Sequence, residues 1–246
     1  METSVKTETK ISEALKEMRA KARALLDSVL GFRDCPAAVL DELAEQGELR
    51  HIAKGEFIQH QGDPTTHVIM VVTGLLEGSL VRQEGQRHLF GLVPPGGFAG
   101  LMAVVDGRPV THGLSAREPS VLMMFPLEFL HALRLREPSL VLACERQIVS
   151  RARLVTERLS VDPGVHLEAR VASMLCMLAG LHGQREEQGI TFAVKFSQMD
   201  LADWLGLSRQ RVNFALKQLE SDRLVRLEYS KLTILDPEGL HQRARG

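Results

Sequence analysis

"FSQMDLADWLGLSRQRVNFALKQLESDRLV", residues 196–225, holds two short apolar periodicities separated by a glycine. Ser197 and Asp200 have capping-box spacing, with Asp in place of the longer Glu, and Leu201, Ala202 and Leu205 give the following turns one apolar face. Gly206 ends that helix, since only glycine takes positive φ at no steric cost. Ser208 then caps a second helix with Val212, Ala215, Leu216 and Leu219 on one side. Gln210, Asn213, Phe214 and Lys217 fall on the opposite side, flanked by Arg209 and Arg211. Two short helices joined by a tight turn, the second carrying Arg, Gln and Asn near its start, form a helix-turn-helix reader of duplex DNA.

The residue types fit that chemistry. Arg bonds guanine O6 and N7 in parallel, Gln and Asn do the same to adenine N6 and N7, and Lys suits a phosphate. Arg209 to Lys217 includes three cations and no acid. A merely solvated polar face is the plainer alternative, but cap, glycine turn and apolar register all agree on the motif. Downstream, "RLVRLEYSKLTILD" (223–236) alternates apolar residues about a Tyr-Ser-Lys turn, as the β-hairpin wing of a winged helix does. The candidate DNA-contacting set is therefore Ser197, Ser208, Arg209, Gln210, Arg211, Asn213, Lys217 and, at the wing tip, Lys231.

Working back toward the N-terminus, "REEQGI" (185–190) reads as a charged turn, and "HLEARVASMLCMLAGL" (166–181) as a buried helix through Val171, Met174, Leu175 and Leu178. The Pro-Gly turn in "SVDPGVH" (160–166) is a hinge. Residues 137–160 read as one long helix in which Val141, Cys144, Ile148, Ala152, Val155 and Leu159 recur at steps of three and four, flanked by Glu145, Arg146, Arg151, Arg153 and Arg158. Such a seam wants a partner helix, most simply its own copy in a homodimer; the alternative is a helix packed on its own domain.

"GEFIQHQGD", "HVIMVVTGLLEGSLV", "QRHLFGLVPPGGFAG" and "SVLMMFPLEFLHAL" are β-rich runs punctuated by Gly, Pro and Asp, the pattern of a compact antiparallel barrel or roll. Before them, Ile11, Leu15, Met18, Ala22 and Leu25 mark an amphipathic helix, and Pro36 opens a shorter one with Leu40, Leu43 and Ala44 inward. The expected division is a helical extension at 1–30, a β-roll sensor at 31–136, a dimerisation helix at 137–160 and the winged helix-turn-helix domain at 161–246.

A chain of 246 residues, 44% hydrophobic and 25% charged with net charge −1, is long enough for two cores, and any nucleic-acid affinity must come from a local basic surface. Cys35, Cys144 and Cys176 form no CxxC pair, which argues against a zinc or iron–sulfur site; no metal site is expected. No apolar run reaches the roughly 18 to 20 residues that span a bilayer, and the first ten residues are polar, so the expected location is the cytoplasm. Nor is there a Gly-rich phosphate loop, HExxH or nucleophile elbow, and no enzyme is expected.

From roughly residue 35 to residue 240 the chain resembles the Crp/Fnr superfamily of bacterial transcription regulators. The blocks that carry the resemblance are "KGEFIQHQGDP" (54–64), "VVTGLLEGSL" (71–80), "LVPPGGFAGL" (92–101), the long helix, and "LADWLGLSRQRVNFALKQLE" (201–220). The resemblance implies an α+β chain: an N-terminal cyclic-nucleotide-binding-like β-roll (jelly roll), a long dimerisation helix and a C-terminal winged helix-turn-helix domain. It also implies a homodimer on a palindromic double-stranded DNA site, with the roll sensing and the long helix carrying the signal. Arg209 matches the arginine that commonly reads the site. The next position, commonly Glu, is Gln210, and a further reading Arg falls at Phe214, which leaves only an apolar contact such as one with a thymine methyl.

The loop "GLMAVVDGRPVTHG" (100–113) departs from the family further. Cyclic-nucleotide-binding members place a Glu for the ribose directly after the first glycine and an Arg-Ser or Arg-Thr pair for the phosphate. Here those positions are Leu101, Val110 and Thr111, and the loop's one cation, Arg108, sits in a Gly-Arg-Pro turn after Gly100. Apolar residues cannot replace a ribose acceptor and a phosphate cation, so a conventional cyclic AMP receptor is not expected. No cofactor is assigned and the effector stays open: cyclic di-GMP, haem or a gas held through His51, His60, His67, His88, His112 or His131, or none. Activation would need a surface for RNA polymerase, which no motif reveals.

Overall fold

The computed structural model describes residues 2–81, 87–159, 166–192, 195–228 and 231–245. Residues 160–165 of the expected hinge, and Tyr229 and Ser230 of the expected wing tip, lie outside them. The chain forms two compact units, residues 1–80 with 90–151 and residues 81–89 with 152–246.

The first unit opens with helix α1 (Glu2–Ser28), a short 3-10 turn (Phe32–Asp34) and α2 (Ala37–Gln46). Gly31 between them has φ 87°, and a Cβ there would lie 2.9 Å from the Ala143 Cα, so only glycine fits. Strands β1 (Glu48–Ile52), β2 (Phe57–Gln59), β3 (His67–Thr73), β4 (Leu76–Val81), β5 (Arg87–Val93) and β6 (Phe98–Ala99) follow. Helix α3 (Ala103–Asp106), β7 (Gly113–Ala116), β8 (Ser120–Pro126), α4 (Leu127–Arg136) and α5 (Pro138–Leu159) complete the series, of which residues 81–89 in β4 and β5 and residues 152–159 of α5 count with the second unit.

Two four-stranded sheets, ordered β1-β8-β3-β6 and β2-β7-β4-β5, make the roll. Strands β3 and β8 are buried on both faces, which explains their continuous apolar sequences. Their alternation feeds two cores. Ile69, Val71 and Leu122 join Leu76, Leu114 and Ala116 between the sheets, whereas Val68, Met70, Val72, Met123 and Phe125 face the helices. That helical side holds Ala22 and Leu26 of α1, Leu40 and Leu43 of α2 and Leu140, Ala143 and Cys144 of α5. Arg19 fastens α1 by donating to the Ala44, Glu45 and Gly47 carbonyls at the end of α2 (2.5, 2.8 and 2.9 Å), where unsatisfied oxygens favour a cation.

The second unit contains α6 (Leu167–His182), β9 (Gly183–Glu186), β10 (Gly189–Phe192), α7 (Gln198–Leu205), α8 (Arg209–Ser221), β11 (Val225–Glu228), β12 (Lys231–Ile234) and α9 (Pro237–Ala244). Ala169, Val171, Ala172, Met174, Leu175 and Leu178 bury one side of α6. The "REEQGI" segment holds the turn of a hairpin whose strands the sequence did not show, β9 and β10, paired antiparallel and added to the wing strands in the order β11-β12-β10-β9. Strand β9 is mostly exposed, so its charges masked the two-residue period.

The residues of the expected seam on α5 fall on more than one side of the helix. Cys144 is 1% exposed in the core of its own unit, and Ile148 packs against that core, because the roll already claims this side of the helix. Val141 is half-buried, Ala152 and Val155 are exposed, and the Leu159 side chain lies outside the described residues. Among the described residues, the large apolar side chains that α5 leaves in solvent are Leu142, Val149 and Val155. Among the described residues, no helix is long and apolar enough to cross a membrane.

Candidate nucleic-acid interface

The motif at 197–221 is built as two capped helices. The Ser197 hydroxyl accepts from the Asp200 backbone N–H (3.1 Å), while the Asp200 carboxylate accepts from the Ser197 N–H (2.7 Å) and hydroxyl (2.6 Å). Arg87, from the 81–89 segment of the same unit, pairs with Asp200 at 3.2 Å and Asp203 at 3.1 Å. Gly206 takes the left-handed conformation (φ 63°), and Ser208 accepts from the Arg211 N–H at 3.4 Å to start α8. Leu201, Ala202 and Trp204 of α7 pack inward with Val212, Ala215, Leu216 and Leu219 of α8.

Arg209, Gln210, Arg211 and Lys217 all stand exposed on α8. The first turn of this helix contains no acid. Cations there run against the helix dipole, which favours negative charge at an N-terminus, so the arrangement suits a partner that brings the anions. Asn213 is different. It is half-buried and its Oδ1 accepts from the Gln198 amide at 3.0 Å, tying α8 to the first turn of α7. Ser197 and Ser208 likewise serve the caps. Lys231 is exposed at the wing, 3.8 Å from the Glu186 carboxylate, a weak solvated pair.

In the roll, the loop read from the sequence contains the one-turn helix α3, closed by Gly107 in the left-handed region. Gly100 has φ 83° and lies against the His67 carbonyl. Leu101 is 4% exposed and belongs to the helical-side core, so it turns away from solvent altogether. Val110 exchanges backbone hydrogen bonds with Asp63 (3.0 Å) and Gly62 (2.9 Å). Arg108 is exposed on its turn, its N–H donating to Asp106 at 3.0 Å, and Thr111 lies 3.0 Å from His112 Nδ1.

Sequence reading missed the cation that does reach the roll. Arg151 of α5 donates to the Phe98 carbonyl, and dehydration of its guanidinium pulls its pKa below the ordinary value. His112 stacks on Phe90 with ring centroids 4.8 Å apart and crosses β4 where a Cβ on Gly78 would stand 2.8 Å from its Nε2. Burial first, and then the charge of Arg151, holds the His112 pKa below 6.5. The nearest sequence signal was the run of arginines on α5, which does not say which one reaches Phe98.

A cyclic nucleotide-binding domain model matches residues 49–137, and a Crp-like helix-turn-helix domain model matches residues 169–243. The chain is 24% identical over 215 residues to the global nitrogen regulator of Synechococcus elongatus, covering 86% of this chain and 94% of the relative. It is 26% identical over 206 residues to the transcriptional activator protein Anr of Pseudomonas protegens, covering 80% of each. Among solved structures, FixK2 from Bradyrhizobium japonicum superposes with a TM-score of 0.70 at 19% identity, over 80% of this chain and 96% of that one.

Proposed function

The chain belongs to the Crp/Fnr family of bacterial transcription regulators, and from that premise we propose that it acts as a homodimer on a palindromic double-stranded DNA site without serving as a conventional cyclic AMP receptor. The observation that carries the reading is the exposed cluster of Arg209, Gln210, Arg211 and Lys217 on a capped helix whose first turn holds no acid. Arg209 and Gln210 read base edges, while Arg211, Lys217 and Lys231 meet phosphates.

The dimer forms through the exposed side of α5, with Leu142, Val149, Ala152 and Val155 against their copies. Two-fold symmetry then sets two half-sites about 34 Å apart, one turn of duplex. The protein works in the cytoplasm and has no catalytic role. Leu101 in the core, and Val110 where a cation would hold a phosphate, support the loss of the cyclic AMP site.

A second reading, in which the roll answers a different ligand, draws support from Arg151. Its guanidinium donates to the Phe98 carbonyl of the roll and faces no carboxylate partner among the described residues, so it is available to a bound anion.

Selection of duplex sites by purified, ligand-free protein at near-physiological salt, after its absorption spectrum has been checked for bound cofactor, separates these readings. Recovery of a tight palindrome by colourless protein supports an apo-competent dimer. Weak, salt-sensitive and sequence-indifferent binding that sharpens only on adding a ligand supports the sensor reading and overturns the first.

A further inference from the structure

We propose that Phe214 is a specificity-determining residue that reads the C5 methyl group of a thymine in the major groove; the inference rests on the DNA-reading role of α8. The Phe214 ring is 57% exposed, although the helix that carries it has a complete buried face in Val212, Ala215, Leu216 and Leu219, each 1% exposed or less. The phenyl group therefore contributes little to the core, and leaving it in water costs free energy that a partner surface recovers.

What that partner is follows from the surroundings. With 3.6 residues per turn, Phe214 lies between Gln210 and Lys217 on one exposed strip of the helix. Arg211 and Lys217, each three residues from it, flank it with positive charge, and no acid interrupts the run from 209 to 217. A surface that is cationic around a single apolar ring complements a polyanion that shows an isolated apolar group. Duplex DNA does this in one place, the thymine methyl at the wall of the major groove, where an α-helix fits. Gln210, one turn before the ring, is matched to adenine, so the pair favours a step in which an adenine and a thymine are read together.

The test uses the full-length protein and the duplex recovered by site selection, with each thymine of a half-site replaced singly by deoxyuridine, which lacks only the methyl. At one position per half-site, removing the methyl weakens binding by about fourfold, as expected for one buried methyl group. Phe214→Ala weakens binding to the parent duplex by at least as much and no longer distinguishes thymine from deoxyuridine at that position, while Phe214→Leu keeps part of the discrimination. Thermal unfolding of both variants should stay close to the parent, since the ring is exposed. Wild-type indifference to deoxyuridine at every position overturns the proposal, as does a Phe214→Ala loss equal for thymine and deoxyuridine, which would mark the ring as a wedge between base steps. Failure to recover any preferred duplex would overturn the DNA-reading role itself, and this inference with it.

Discussion

Arg209 and Asn213 lie one turn apart on α8, and only the structure separates their roles. The guanidinium of Arg209 is free in solvent at the head of the helix, whereas the amide of Asn213 is engaged by Gln198. Arg209→Ala should relax base preference at one position of each half-site and reduce discrimination there by about 1 to 3 kcal/mol, with thermal stability nearly unchanged. Binding to a library of single-base variants of the selected site measures both the position and the size; unchanged selectivity would remove Arg209 from base reading. His112 permits a second prediction at this scale. Its pKa is lowered in the folded chain by burial and by Arg151, so below pH 6.5 the unfolded chain takes up a proton that the folded one resists. Stability should therefore fall as pH drops below about 6.5, and His112→Gln should flatten that part of the profile in urea denaturation. An unaltered slope in the variant would show that other groups govern the acid limb.

The elements show where sequence periodicity helps and where it misleads. Helix α5 has apolar residues around much of its circumference, and any choice at steps of three and four yields a plausible seam. Burial divides them: Leu140, Ala143 and Cys144 close the roll, and Leu142, Val149 and Val155 remain in solvent. Replacing Leu142 and Val149 together with Asp should leave the protein folded and convert the proposed dimer to a monomer in light scattering, because each position would forfeit roughly 1.5 to 3 kcal/mol of apolar burial at the proposed interface. Cys144→Asp should instead unfold the first unit, since an unpaired carboxylate would enter a dry core. Persistence of the dimer in the double variant would move the interface off this side of α5. Helix α1 illustrates the same division on a smaller scale. Leu15, part of its apolar stripe, is 41% exposed, while Ala22 and Leu26 are fully buried and Arg19 ties the helix to the end of α2.

At the scale of the whole molecule, the prediction concerns whether the roll takes a cyclic nucleotide. Calorimetric titration with cyclic AMP at physiological concentration should give no saturable heat, and the nucleotide should leave DNA affinity unchanged. The proposal rests on Leu101, which is buried, and Val110, whose backbone joins the loop to Gly62 and Asp63, standing where polar anchors are expected. A micromolar isotherm would mean that Arg151 supplies the phosphate contact from α5, and Arg151→Ala would then abolish it. A ligand that acts on DNA binding must favour one state of the dimer over the other, so a coupled change in DNA affinity is the measurement that identifies an effector.

The amino-acid sequence by itself determined the helix-turn-helix pair, its caps at Ser197 and Ser208, the glycine turn between them and the short β-rich runs between turns that make the roll. Each of these depends on neighbours within about one helical turn, where covalent geometry and local hydrogen bonds decide the conformation. Tertiary structure alone decided that Cys144 and Leu101 belong to the core, that Asn213 accepts from Gln198 and that Arg151 reaches Phe98. Those contacts join side chains far apart in sequence or on different helices. Which one forms depends on how closely packed elements exclude water from one side of a residue and leave the other exposed.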